Sequence, residues 1–200
     1  MENLISKKWD EQMFVKEFLY KLPELLETLD EDELSRKMPK LELEEVYFDD
    51  VKEGSVSIMK VPITSKIVKL FAMISGDYNP IHIDEEYAKT LPPKLFGGRN
   101  IAHGILLNSF LSALITLSFG KGAVLLEWRD QKFKKPVRVG DTITVKLEVV
   151  RKYIQIVNEK ERFFVELKGS VLTSSGEGEV EATSCSILVT LLRKSRKGNE

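Results

Sequence analysis

The sequence predicts an α+β domain in which an antiparallel sheet curls round one long helix, with a helical arm ahead of it. Two observations carry this expectation. Residues Ile101 to Phe119 distribute apolar side chains round most of a helix, so that segment must be buried on nearly all sides. After it come consecutive runs with strand character. The clearest sets Ile143, Val145, Leu147 and Val149 on one face against Thr142, Thr144, Lys146 and Glu148 on the other. One long helix followed by several strands is the order of elements expected of such a domain.

Along the chain, Trp9, Met13, Phe14, Phe18, Leu19, Leu22, Leu25, Leu26 and Leu29 recur at helical spacing, interrupted by Pro23, and predict one or two amphipathic helices. Their polar face lacks an excess of lysine and arginine, so packing on the chain's own domain or on a dimer mate is expected rather than membrane binding. Glu24 to Glu53 is strongly acidic and reads as a solvated connection, with a boundary between Pro39 and Glu44. The division is therefore 1–43 for arm and linker, 44–193 for the main domain and 194–200 for a basic tail. From Gly54 to Val61, Val56, Ile58 and Lys60 alternate with Ser55, Ser57 and Met59 in a weak strand pattern. Thr64 can cap a helix carrying Ile67, Val68, Leu70, Phe71 and Ile74 that stops at Gly76, and Asp84 can cap a second, stopped by Pro92 and Pro93. Gly120 and Gly122 close the long helix, Ala123 to Phe133 resumes as a strand, and Phe163 to Leu172 and Val180 to Leu192 follow, with Ser174-Ser175-Gly176 as the turn between them.

Thirty basic and thirty-one acidic residues leave a net charge of −1, which gives no overall drive towards nucleic acid or an anionic membrane. No apolar run approaches membrane-spanning length and the first residues lack a signal-peptide pattern, so a cytoplasmic location is expected. Cys185 is the only cysteine, which leaves no internal disulfide and no cysteine-based zinc site. Only His82 and His103 are available to a histidine-dependent mechanism.

Asp77, Asn79 and His82 fall in one short loop that Pro80 stiffens by holding Asn79 extended. An aspartate and a histidine that reach one water form a general acid/base pair, which Asn79 can orient. By spacing alone the loop reads equally as a capped turn with a half-buried histidine. Ile101-Ala102-His103-Gly104 opens the long helix and presents free backbone N–H groups there, able to polarise a carbonyl. Gly104 has no side chain to keep a carbonyl away, although a glycine there can also serve packing alone. Hydration of a double bond beside a thioester carbonyl needs both parts: an activated water and a stabilised enolate-like transition state.

Two stretches, Phe71-Ala72-Met73-Ile74-Ser75-Gly76-Asp77-Tyr78-Asn79-Pro80-Ile81-His82-Ile83-Asp84 and Ile101-Ala102-His103-Gly104-Ile105-Leu106, closely resemble the MaoC-like (R)-specific enoyl-CoA hydratases. The resemblance runs more loosely through Phe133 to Thr142, spans about Tyr47 to Leu192, and leaves the arm unexplained. It implies a hot-dog fold with Ile101 to Phe119 as the central helix, and a homodimer formed by joined sheet edges. It implies that Asp77 and His82 act through a shared water, that Asn79 supports them, and that the Gly104 N–H forms the oxyanion hole. His103, Ile105 and Ser112 become candidate substrate-binding positions, Ser112 in the acyl pocket. One departure stands out. Thr90 to Asn100, with Pro92, Pro93, Gly97 and Gly98, is a few residues longer than the usual family connection and borders the site.

The expected substrate is an acyl-CoA or acyl carrier protein thioester, with no cofactor and no metal, since neither a phosphate-cradling glycine loop nor a zinc motif is present. Arg99, Lys132, Lys134, Lys135 and Arg138 are available to the phosphates of CoA. Three other readings remain open at this point: a dehydratase on acyl carrier protein, a hot-dog thioesterase that would release free thiol, and a non-catalytic thioester-binding subunit.

Overall fold

The structure is a computed structural model that describes residues 30–175 and 178–193. The elements in order are α1 (Glu31–Lys37), a 3-10 turn (Phe48–Asp50), β1 (Val56–Pro62), α2 (Ser65–Ser75), α3 (Pro80–Ile83), α4 (Glu85–Thr90), α5 (Pro93–Phe96), α6 (Gly104–Phe119), β2 (Val124–Phe133), β3 (Thr142–Val157), β4 (Lys160–Ser175) and β5 (Gly178–Thr190). The five strands form one antiparallel sheet in the order β1-β3-β4-β5-β2, and α6 packs on it. The amphipathic stretch Trp9 to Leu29 and the tail Lys194 to Lys197 lie outside the described residues.

Every second residue of β3 supplies the core: Ile143, Val145, Leu147 and Val149 are all buried, as their alternation requires. Val165, Leu167 and Val171 of β4 and Cys185, Ile187 and Val189 of β5 continue that face, against Leu107, Leu111, Leu114 and Ile115 of α6. Gly169 lets the helix approach β4, since a Cβ there would fall 2.9 Å from Cys185 Sγ and 3.2 Å from Leu111 Cδ1. Cys185 is a core residue whose thiol burial pushes up to about 11, so it stays protonated and unreactive. β3 and β4 meet through Asn158 and Glu159, both with positive φ (50° and 62°), the conformation of a tight two-residue hairpin turn.

Four expectations change. The long helix is not buried on nearly all sides: Ile105, Ser109, Ser112, Ala113, Thr116 and Leu117 form an exposed stripe, because the sheet covers only the opposite face. In β1, Val56 and Ile58 point outward while Ser57, Met59 and Val61 face in. Register decides this, because Met59 and Val61 sit opposite the core residues Val145 and Ile143. The acidic connection is not solvated throughout: exposed α1 forms within it, capped by Asp30, and Phe48 and Val51 enter the core. Ser174 and Ser175 belong to β4, paired with Glu179 and Gly178, and are not turn residues, while Gly176 lies outside the described residues. Among the described residues, no helix is long and apolar enough to cross a membrane.

Leu111 is fully buried against Gly169 and the β5 core. Truncation in Leu111→Ala removes buried methyl groups and leaves a cavity, so the unfolding free energy from urea titration is expected to fall by about 2–5 kcal/mol.

Candidate active site

The catalytic candidates stand on a turn whose geometry the sequence builds locally. α2 begins at Thr64, whose hydroxyl accepts from Ile67 N, and ends at Gly76, whose φ of 74° reverses the chain. Asp77 follows at once. Its Oδ1 accepts the Asn79 N–H at 3.2 Å, which fixes the carboxylate and leaves Oδ2 directed at His82. The Asn79 side chain caps α3 by accepting from Ile81 N, so Asn79 supports the site through its backbone N–H and its cap. One turn of helix then carries His82 inward, where its side chain is only 11% exposed against 53% for Asp77.

His82 Nδ1 lies 2.8 Å from the Ile101 carbonyl. A carbonyl can only accept, so Nδ1 carries the proton and Nε2 of the neutral ring is left as an acceptor. That Nε2 is 3.9 Å from Asp77 Oδ2, too long for a direct hydrogen bond and a span that one water can bridge. Burial pulls the His82 pKa below 6.5; the Ile101 carbonyl opposes it, the His103 ring adds to it, and Asp77 opposes it more weakly. The ring is therefore neutral near pH 7, the state a general base needs.

His103 N-caps α6 and is buried, at 2% exposure. Its Nε2 donates to the Asp77 carbonyl at 3.0 Å and its ring stacks on His82 with centroids 3.7 Å apart, while Phe71 packs against it at 5.0 Å. These contacts place His103 behind the pair, as a support for both members. Asp77, His82 and His103 also form a group whose potential ligand atoms lie within 4.8 Å of one another. One zinc ion draws its ligands to about 3.3 Å apart, so a metal would require these side chains to close in, whereas a bridging water does not.

Asn100 is the residue that sequence reasoning missed. It is buried, and its Nδ2 reaches the carbonyls of Pro80 (3.4 Å), Ile81 (3.1 Å) and Asp84 (2.8 Å), while its own carbonyl accepts from Val139 N. Ile101 N donates to the Ile81 carbonyl and Ala102 N to that of Val137. Residues 100–102 are thus a strut between the catalytic turn and the segment before β3. Only its place just ahead of Ile101-Ala102-His103-Gly104 could have drawn attention to an asparagine.

Gly104 opens the 16-residue α6, and its N–H meets no partner among the described residues. The Phe133 ring occupies the space a side chain would need: a Cβ at position 104 would lie 2.6 Å from Phe133 Cε1. His82, Gly104, Ile105 and Phe133 line one cavity of about 420 Å³, with Leu95, Phe96 and Val137 among its other walls and Lys134 and Lys135 beside them. Asp77 is not part of that wall. Ser112 stands on the exposed stripe of α6, two turns beyond Ile105, and does not line the cavity. Of the basic candidates, Arg99 pairs with Asp141, Arg138 holds backbone carbonyls and Lys134 pairs with Glu181, while Lys132 lies in a separate groove with Arg129 and Lys168.

The family model described as the MaoC-like domain matches residues 50–168, which spans β1 to the middle of β4 and includes every candidate above. The chain belongs to the MaoC-like domain family. Among its MaoC-like relatives, an (R)-specific enoyl-CoA hydratase of Rhodospirillum rubrum is 41% identical over 104 residues, covering 52% of this chain and 69% of that one. A 3-hydroxybutyryl-CoA dehydratase of Methylorubrum extorquens is 40% identical over 122 residues, covering 60% and 72%. In three dimensions the chain matches the protein RV0216 of Mycobacterium tuberculosis, described as having a double hot-dog fold, with TM-score 0.64 and 18% identity over 78% of this chain and 46% of that one. The MaoC-like chain has the hot-dog fold: a curled antiparallel sheet with α6 as its central helix.

Substituting Asn100→Ala removes the donor that three carbonyls share. Hydrogen exchange at the Ile101 amide is expected to accelerate, with about 1–3 kcal/mol lost from unfolding stability, because those carbonyls are left without their partner.

Proposed function

We propose that this MaoC-like protein is a hydro-lyase that adds water reversibly to a trans-2-enoyl-CoA, giving the (R)-3-hydroxyacyl-CoA, with Asp77 and His82 as its acid/base pair. The observation that carries the reading is the 3.9 Å gap between Asp77 Oδ2 and a neutral, correctly tautomerised His82 Nε2, beside a cavity that holds the unpartnered Gly104 N–H. The reading is supported by relatives named as an (R)-specific enoyl-CoA hydratase and a 3-hydroxybutyryl-CoA dehydratase, names for water addition and water removal.

In the forward direction, water held between Asp77 and His82 gives a proton to His82 Nε2 as its oxygen bonds to carbon 3. The carbon-carbon π electrons move towards carbon 2 and the thioester oxygen, where the Gly104 N–H stabilises the developing negative charge. The imidazolium, held by its Nδ1–H bond to Ile101, then returns a proton to carbon 2, so one water is consumed and the pair is restored. His103 and the Asn79 N–H keep both catalytic groups in register. Dehydration retraces these steps.

The active form is a homodimer. β2 ends the sheet with an edge that no strand pairs among the described residues and that carries exposed Val124, Leu125 and Leu126, and the α6 stripe adds Ile105 and Leu117. Such an edge favours pairing with a second strand.

Asp77→Asn and His82→Ala are each expected to lower kcat/KM for crotonyl-CoA by roughly 10² to 10⁴ while leaving circular dichroism unchanged. Rates within a factor of about two of the parent protein, in a folded variant, would remove the assignment. Because burial lowers the His82 pKa, the base stays neutral until the pH falls below the ordinary histidine value; the acidic limb of kcat/KM is expected below pH 6.5. Analytical ultracentrifugation is expected to report a dimer, and Leu126→Lys, which sets like charges facing each other on the edge, to shift it towards monomer.

A further inference from the structure

The long connection noted in the sequence is a built structure. α5 (Pro93–Phe96) sits within it, and Gly97 and Gly98, both with positive φ (64° and 66°), turn the chain back towards the strut. Arg138 holds it from the far side: Nε donates to the Phe96 carbonyl at 2.9 Å and Nη2 to the Leu95 carbonyl at 3.0 Å. A Cβ on Gly97 would fall 3.0 Å from Arg138 Nε, so a glycine there lets the guanidinium lie against the backbone. Arg99 makes a second fastening, to the Val139 carbonyl at 2.9 Å and to Asp141 at 3.1 Å. Two arginines, 39 residues apart, therefore tie this connection and the segment before β3 together from opposite directions.

What the fastening achieves is visible in the cavity. Leu95 and Phe96 form part of its wall, and Leu95 remains 52% exposed, an apolar side chain at the opening. Phe133, Lys134, Lys135 and Pro136 line the same cavity. Lys134 is paired with Glu181, whereas the ammonium of Lys135, exposed on the same cavity lining, makes no ion pair or hydrogen bond among the described residues; only its backbone N–H is engaged, by the Ala182 carbonyl. An apolar passage with an uncommitted cation beside it suits a flexible amide-containing arm that ends in a phosphate.

We propose that the 91–98 connection, clasped by Arg138, is the recognition wall for the phosphopantetheine arm of the thioester, and that Lys135 contacts its phosphate. Leu95 and Phe96 pack against the arm, Arg138 is a positioning residue that acts through their backbone carbonyls, and the cation engages the phosphate common to CoA and acyl carrier protein. The inference rests on the enoyl-thioester reading above, and goes beyond it by assigning arm recognition to residues outside the acid/base loop and the α6 terminus.

The test compares crotonyl-CoA with crotonyl-N-acetylcysteamine, which keeps the reacting group and lacks the phosphate and most of the arm. In the full-length protein, Leu95→Ala and Lys135→Ala are expected to raise KM for crotonyl-CoA about tenfold with kcat held within about twofold, so the preference for CoA over the truncated ester falls by about tenfold. Arg138→Gln is expected to act in the same direction, with Arg138→Lys restoring part of the loss, since an ammonium reaches one carbonyl where the guanidinium reaches two. Exposed Leu95 and Lys135 can be changed without disturbing the core, so these two variants decide the matter if Arg138→Gln folds poorly. Equal losses on both esters, unchanged KM values, or a shift in acyl-length preference in place of arm dependence would overturn the proposal. Failure of the unsubstituted protein to hydrate either ester would instead count against the hydratase reading, which separates the two claims.

Discussion

The hydrogen bond from His82 Nδ1 to the Ile101 carbonyl joins the two halves of the site, and most other features serve to keep it in place. It fixes the tautomer, so that Nε2 is the ring's acceptor and faces Asp77. It also ties the turn that carries Asp77 and His82 to the residue three positions ahead of Gly104, so the proposed acid/base pair and the proposed oxyanion donor are joined through a single short segment. Asn100 reinforces the same joint by satisfying three carbonyls of the turn, and Ala102 and Asn100 anchor the segment to residues 137–139. His103 closes the arrangement from below, bonded to Asp77 and stacked on His82. Catalytic precision here comes from backbone carbonyls and N–H groups whose positions the fold already fixes.

The electrostatics follow from that packing. A histidine beside an aspartate would ordinarily be drawn towards its protonated form, but Asp77 is half exposed and its influence is screened, while the His82 ring is mostly enclosed. Desolvation wins and the ring stays neutral. The exposed carboxylate keeps contact with solvent, and the buried imidazole keeps its lone pair. The proposed roles, a base that takes a proton from water and later returns it beside a carboxylate that holds the water, suit this division.

Much of the arrangement was legible in the residues because it is local. Thr64, Gly76, Asp84 and Gly120 end or begin helices in the structure as their chemistry dictates, and β3 alternates as written. The acid/base loop was readable because Pro80 confines three polar groups to one turn. What could not be read depends on distant partners. The inward face of β1 is chosen by its register with β3, where Ile143 and Val145 outweigh the apparent apolar face of Val56 and Ile58. The exposed stripe of α6 reflects a sheet that covers one side of a helix whose sequence is apolar nearly all round. Asn100 and Arg138 have side chains common in loops, and their roles emerge only once residues 19 and 42 positions away are brought against them. His103, one of the candidate substrate-binding positions, is buried, and its contacts are with Asp77, His82 and Phe71.

In the proposed reaction, water attacks the enoyl thioester's double bond and not its carbonyl carbon. The most direct measurement is incubation of the purified protein with crotonyl-CoA, with chiral analysis of the acyl product and a parallel assay for free thiol. The proposed hydration predicts (R)-3-hydroxybutyryl-CoA with its thioester bond intact. Release of free CoA without hydration, or formation of the (S)-product, would contradict it.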